Sequence, residues 1–524
     1  MAVPKHKPTS EPPDGIRIPD EFPILTQIAF YLLLALVAAR AMLQEYIRDP
    51  LLSPDLPRGA GASVMVWLNL LCCVPALLVL ARRAIDKHYV LRLDWSHALL
   101  GMLAIWTGAS VMWASDKWIA LIGASTWIAT LVVLWTFVQL VRSWHRLRVV
   151  AGVLAGVLLV LAAHGLIYRF VDAPEMEEYW RAQGAQILQE RGWQPDSFQA
   201  QQFERKVLAK EVMGFARSPN SYAAIVVTLG FVALGVLIQR ARDQEESGWI
   251  GAAAILVAPA LVMPFFTGSK TALATAIVGG ALLYGAIAFA DRLSNRFRKM
   301  FFGSLGVIAL GAVLLILFGM MRGGLPGASL DFRWNYWTGA AGMIAERPLL
   351  GTGWENFGDA YLAHRVPRAA EEIKDPHNFV VRFFTELGII GGVLALAGLI
   401  RLAWEATRPI SLVATATPGR GELAWIGWTV IATLIISALA AIDFSQNPDV
   451  WTFELLKRVL YALLLAGGAL VVVLRLRGGM RAEDRPAPLL AIAMTVAGGV
   501  LLLHSTVDFA MFEVSGGLIL ATLA

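Results

Sequence analysis

The chain has 524 residues, of which 57% are hydrophobic and only 16% charged, against a usual charged share of about 25%. Mean hydropathy is +0.61, more apolar material than a water-soluble core absorbs without exposing it. Soluble multidomain, disordered, collagen-like and disulfide-stapled classes are excluded. The net charge of +5 comes from basic residues that do not cluster as they would for nucleic acid.

Residues 1–21 are polar and Pro-rich and predict a cytoplasmic tail. No small-residue cleavage site follows the first apolar run, so that run reads as an anchoring span. Apolar windows fall near 22–40, 62–81, 97–114, 118–141, 149–169, 218–239, 248–267, 270–290, 300–319, 379–404, 422–442, 455–474 and 487–504. Most approach the roughly 20 residues that cross a bilayer. The fold class expected is therefore all-α, a polytopic helical membrane protein of thirteen spans. Residues 515–524 read as a truncated fourteenth span or a packed half-helix. The two cysteines, Cys72 and Cys73, are adjacent inside an apolar run, which rules out a zinc site or a disulfide framework.

Lysine and arginine sort by membrane side. One set of connections carries Arg82, Arg83, Lys87 and Arg92, then Arg142, Arg146 and Arg148, then Arg292, Arg296, Arg298 and Lys299, then Arg475, Arg477, Arg481 and Arg485. The alternate short connections carry little more than Lys117, Lys270, Lys457 and Arg458. The basic set marks the cytoplasmic side, so the N-terminus is expected inside. The chain then divides into a tail at 1–21, spans one to five at 22–170, an outer loop at 171–217, spans six to nine at 218–319, a long outer loop at 320–378, and spans ten to thirteen with the C-terminal half-span at 379–524. Within the second loop, DFRWNYWTGAAGMIAERP predicts an amphipathic helix ending before Pro348.

Three spans open on the outer side with a capping residue beside a basic one. Span six opens Arg217-Ser218-Pro219-Asn220, span eight Gly268-Ser269-Lys270, and span ten Asp375-Pro376-His377-Asn378 with the same cap-then-proline order. Helix N-termini offer free N–H groups and partial positive charge, so the three ends suggest an anion site at the outer face. Ordinary caps with snorkelling side chains are the bland alternative. Arg333 lies one turn before Trp337, and its guanidinium suits bidentate phosphate binding or simple stacking on that ring. Arg382 and Glu386, spaced i,i+4 inside span ten, read as a self-neutralising structural pair, and His164 as a core histidine. TGSKT at 267–271 is not a phosphate-binding loop, because Met263 replaces its first glycine and Ser269 separates Gly268 from Lys270.

FRWNYWTGAAGMIAERPLLGTGWENF and DPHNFVVRFFTELGIIGG resemble successive signature stretches of the O-antigen ligase and polymerase superfamily. GFARSPNSYAA and TGSKTALA resemble its upstream elements, and HSTVDF a late outer element. The resemblance covers about 210–400 plus that C-terminal motif, in the family's order. Lys270 stands where many members have arginine, Arg217 sits in a loosely patterned motif, and spans one to five carry no signature.

The resemblance implies glycosyl transfer from a polyprenyl-diphosphate-linked glycan to a hydroxyl acceptor, on the periplasmic face of a bacterial inner membrane. The acceptor would be a glycolipid, a glycan or a protein. The donor brings its own leaving group, so no cofactor or metal is expected. Arg333 matches the arginine that supports the diphosphate, with Arg217 and Lys270 assisting. His377 matches the signature histidine, the candidate general base. Asn378, Trp337, Asn220 and Glu386 would support the site. Direct attack would invert the anomeric centre. A glycan polymerase or a protein O-oligosaccharyltransferase would use the same chemistry. A polysaccharide flippase would instead place polar groups at mid-membrane.

Overall fold

A computed structural model describes residues 23–45, 61–288, 296–369, 372–408, 412, 421–444, 448–475, 481–482 and 485–524. The expected tail at 1–21 and the basic residues Arg292 and Arg477 lie outside them. The architecture is all-α, as expected. Its only described strand pairing is a two-residue antiparallel contact, Leu474–Arg475 with Arg481–Ala482.

The helices are α1 (Pro23–Ala41), α2 (Ala62–Ile85), α3 (Trp95–Ser110), α4 (Lys117–Leu140), α5 (Trp144–Ile167), α6 (Ala173–Glu190), α7 (Phe198–Ala209), α8 (Pro219–Arg242) and α9 (Ser247–Thr267). There follow α10 (Lys270–Ala288), α11 (Arg296–Arg322), α12 (Ala328–Glu346), α13 (Phe357–His364), α14 (Phe379–Ala406), α15 (Glu422–Phe444), α16 (Pro448–Val473), α17 (Pro488–His504) and α18 (Val514–Leu523). All thirteen apolar windows fall on helices. Eleven described helices are long and apolar enough to cross a membrane; α3 and α17, with 16 and 17 residues, are shorter. The fifth span does not stop where expected: α5 continues through a π-helical turn, Tyr168–Asp172, into α6. The amphipathic helix expected in the second long loop is α12, which ends at Glu346, before Pro348.

Spans pack closely where side chains are small. Gly156 of α5 meets Gly468 of α16 so tightly that a Cβ on Gly468 would lie 2.5 Å from the Gly156 Cα. Small residues let backbones approach in this way without a hydrophobic driving force between helices. The C-terminal α18 is buried against α1, α4 and α17.

The two ends of α8 separate two kinds of chemistry. At its last turn, Arg240 donates to the carbonyls of Val471, Val472 and Leu474 at 2.8, 3.0 and 3.1 Å. Arg485 reaches Glu245 nearby, and Arg148 donates to the Arg485 carbonyl. At its first turn, Ser221 touches Asp508. α14 spans the same distance, with Asn378 on Thr506 at its start and Thr407 on Arg298 at its end. The described residues of the basic connections thus share one end of the bundle. The long loops and the segment between α17 and α18 share the other.

Candidate active site

The segment 504–513 organises this second end. Asn378 caps α14, its side-chain oxygen accepting from the amides of Val380 and Val381 at 2.9 and 3.1 Å. Its amide nitrogen donates to the Thr506 carbonyl at 2.8 Å, and the Phe379 amide donates to the Ser505 carbonyl at 3.0 Å. Ser218 caps α8 with Pro219 in the first turn, as expected, and accepts from the Ser221 amide at 3.0 Å. The Ser221 hydroxyl then donates to Asp508 Oδ2 at 3.2 Å. Two of the three helix openings therefore meet on one buried carboxylate.

Asp508 also faces His377. Its Oδ1 lies 3.3 Å from His377 Nδ1, and His504 Nδ1 is 4.0 Å from its Oδ2. Burial alone would raise the Asp508 carboxyl. The hydrogen bond and charge of His377, the charge of His504 and the Phe509 amide outweigh burial and hold it below the usual carboxylate range. The His377 ring stacks against Tyr336, centroids 5.9 Å apart, and lies 5.1 Å from Phe509. With Nδ1–H donating to Asp508, Nε2 is left as the proton acceptor.

The opening of span ten corrects one expectation. Asp375 does not cap the helix, which starts at Phe379. Asp375 Oδ1 instead accepts from the His377 amide at 2.7 Å, closing a turn in which His377 has a left-handed φ of 53°. An aspartate side chain bonding the backbone two residues on competes with capping, and here it wins.

α12 lies across this turn. Trp337 Nε1 donates to the Pro376 carbonyl at 3.1 Å, so the ring does not merely serve Arg333. Arg333 Nε donates to the Val507 carbonyl at 2.7 Å, and its Nη1 to the Ser329 carbonyl at 2.9 Å and to the Ser329 hydroxyl. The guanidinium thus docks the loop helix on the 504–513 segment. Tyr336, Ala340 and Met343 of α12 pack with Phe357 and Tyr361 of α13 in a small separate core beneath it.

Arg217 is fastened twice to Glu513: its amide donates to Oε1 at 2.9 Å and its Nε lies 3.5 Å from Oε2. Burial pushes the Glu513 carboxyl up to about 7 despite the Arg217 charge. Both residues line a small cavity with Trp127, Trp354, Glu355 and Phe512. Asn220 is half-buried in the first turn of α8. Ser269 accepts from the Ala272 amide at 3.3 Å and so caps α10, but Lys270 is exposed. Among the described residues, no hydrogen bond or ion pair joins Lys270 to Arg217, Arg333 or His377.

Arg382 is not the simple partner of Glu386. It meets three carboxylates, Glu355 at 2.6 Å, Asp375 at 2.7 Å and Glu386 at 3.3 Å, with its guanidinium 4.2 Å from the Phe512 ring and 4.9 Å from that of Trp354. Glu355 arrives because residues 348–356 dock on a break in α14. Gly388 has φ 66° and ψ −171°, which frees carbonyls of the preceding turn. The amides of Thr352 and Gly353 donate to the Thr385 and Glu386 carbonyls, each at 2.9 Å, and Trp106 Nε1 donates to that of Leu387. Buried backbone groups at a helix break must find such partners. His164, expected as a core histidine, bonds Tyr461 and stacks on Phe215.

Sequence reasoning missed Asp375, Glu355, Asp508 and Glu513 as site residues. HSTVDF was the one available signal for Asp508. Nothing local marks Glu355 as a partner of Arg382.

No curated protein matches the chain. A family model described as O-Antigen ligase matches residues 255–396. The match includes Lys270, Arg333, His377 and Glu386 but neither Arg217 nor Asp508. Together with the helical membrane architecture, the match supports the O-antigen ligase superfamily for residues 255–396 of a multi-pass membrane protein.

Proposed function

We propose that the chain transfers a glycan from a polyprenyl-diphosphate donor to a hydroxyl acceptor, with His377 as general base. The observation that carries this reading is the His377–Asp508 contact beside Arg333. A buried carboxylate fixes one ring nitrogen, so the other is oriented to take the acceptor proton. As the acceptor oxygen bonds to the anomeric carbon, the bond to the diphosphate oxygen breaks. Negative charge then develops on the lipid diphosphate, where cations act most strongly. Arg333 exchanges its carbonyl partners for phosphate oxygens, a trade of neutral acceptors for anionic ones. Arg217 stands at the adjoining edge, and Trp337 and Asn378 hold the framework. Lys270, exposed at the start of α10, adds charge at longer range.

The site belongs on the periplasmic face. Loops 171–217 and 320–378 flank it, and the basic connections lie at the opposite end of α8 and α14, the arrangement the positive-inside rule assigns to the cytoplasm. The reaction needs no nucleotide or added metal, since the donor is already activated, and it inverts the anomeric centre.

The test is a division of labour. Purified protein is assayed with the lipid-linked glycan that accumulates in cells lacking it, using their membranes as acceptor. Arg333→Ala weakens donor binding and transfer. Arg333→Lys keeps charge but loses the fork and costs roughly 2–4 kcal/mol, about 30- to 1,000-fold in rate. His377→Ala keeps donor binding and lowers transfer on the order of 10²–10⁴-fold. Near-normal transfer in well-folded His377→Ala removes the base. Unchanged donor affinity and transfer in Arg333→Ala leaves α12 as scaffold. Long unattached chains in the deletion strain mark a ligase, and single repeat units a polymerase.

A further inference from the structure

His377 holds a backbone conformation that residues other than glycine rarely adopt, with φ at 53°. What maintains it is Asp375. One carboxylate oxygen accepts the His377 amide at 2.7 Å, and the other takes Arg382 Nη1 at 2.7 Å. Arg382 is itself held on several sides. It is 3% exposed, projects from the first turns of α14, sits against Phe512 and Trp354, and meets Glu355 and Glu386 with its remaining nitrogens. A rigid path therefore runs from α14 through Arg382 and Asp375 to the backbone of His377. Asp508 holds the far end of the same residue, at Nδ1. A ring fixed at both backbone and Nδ1 has little freedom left in the direction of Nε2.

We infer that Asp375 is a positioning residue for His377: anchored by Arg382, it holds the left-handed turn that aims the imidazole at the acceptor hydroxyl. The inference rests on the reading of His377 as general base. The alternative is that Asp375 only neutralises Arg382 and supports the fold.

Substitutions at Asp375 separate the two roles. Asparagine keeps the turn bond, its side-chain oxygen accepting the same amide, but its NH2 then faces Arg382, so the charge and the Arg382 anchor are given up. Glutamate keeps the charge, but its extra methylene displaces the oxygen from the turn. Transfer is measured with the accumulated lipid-linked glycan as donor and deletion-strain membranes as acceptor, and folding by thermal melting in detergent. Asp375→Ala is expected to lower kcat about 100-fold, the scale of a misplacement near 1 Å, with donor KM within a few-fold of wild type. Asp375→Asn recovers part of that loss, through the turn bond alone, and Asp375→Glu does not.

The decisive readout is coupling. In a His377→Ala background, Asp375→Ala costs nothing further, because a residue that acts through His377 has nothing left to position. Losses that multiply in the double mutant overturn the inference, as do full kcat in Asp375→Ala or recovery by glutamate and not asparagine. Should Asp375→Ala not fold, the asparagine and glutamate variants carry the same cycle. Wild-type transfer by His377→Ala alone condemns the general-base reading instead, so the two failures are distinct.

Discussion

Gly388→Ala tests whether the break in α14 holds the loop that completes the site. At φ 66° and ψ −171°, Gly388 occupies a region open essentially to glycine alone, and a residue with a Cβ there costs on the order of 1–3 kcal/mol. The added methyl would also lie 2.2 Å from the Leu349 carbonyl oxygen and 2.3 Å from its carbon. Both are backbone atoms, so no side-chain rotation relieves the overlap. The helix can escape by straightening, but that expels residues 348–353. The bonds from the Thr352, Gly353 and Ile389 amides are then lost, at about 0.5–1.5 kcal/mol each. Glu355 leaves Arg382 with them. Either route destabilises the site by about 2–5 kcal/mol. Gly427→Ala is the control: it lies in α15 with no atom within 4 Å of the added Cβ, and alanine is the better helix former by about 1 kcal/mol. The assay is thermal melting in detergent together with proteolysis of the 348–356 loop. Gly388→Ala should melt several degrees lower and be cut there, while Gly427→Ala should match or exceed wild type. Equal melting of the two variants with a protected loop would refute the reasoning.

Asp508→Asn should keep donor affinity and lower transfer about 10- to 100-fold, the scale of one charge-assisted hydrogen bond of about 1.5–3 kcal/mol; unchanged kcat would separate Asp508 from the chemistry. Its depressed carboxyl stabilises the fold above the usual carboxylate range and ceases to do so as pH falls through its folded-state value, so melting of the asparagine variant should lose part of the wild-type acid sensitivity. Glu513 titrates near 7, and above that pH its carboxylate competes with a diphosphate for Arg217. Donor affinity should rise as pH falls through about 7 and be flat in Glu513→Gln; an unaltered slope in the variant counts against that competition. Cysteines placed at Gln194 and Arg365, both exposed, should react with an impermeant thiol reagent once the outer membrane is opened. Labelling only after inner-membrane lysis would reverse the orientation.

Much of the architecture was legible in sequence because the bilayer is an exacting solvent. Every spanning backbone group must bond internally, so each apolar window was expected to form a helix; helices cover all thirteen windows, and eleven described helices are long and apolar enough to cross a membrane. Local grammar also carried through: Ser218-Pro219 opens α8, and α12 ends before Pro348. His377 and Arg217 stood out because they carry proton-transfer chemistry or charge beside helix openings, and Arg333 because it lies one turn before Trp337 in the loop helix. What sequence could not decide is which of these groups touch. Asp508 lies 131 residues from His377, and no local pattern reports a contact closed by the packing of α17 against α8. Asp375 followed by proline resembles a cap, and only the competing bond to the His377 amide shows otherwise. Arg382 and Glu386 satisfied the i,i+4 rule so well that Glu355 and Asp375 went unsuspected. Periodicity and capping depend on neighbours along the chain and survive in sequence. The ionic partners of Arg382 and the orientation of His377 depend on a glycine break in α14 and the loop docked on it, which exist only once the helices have packed.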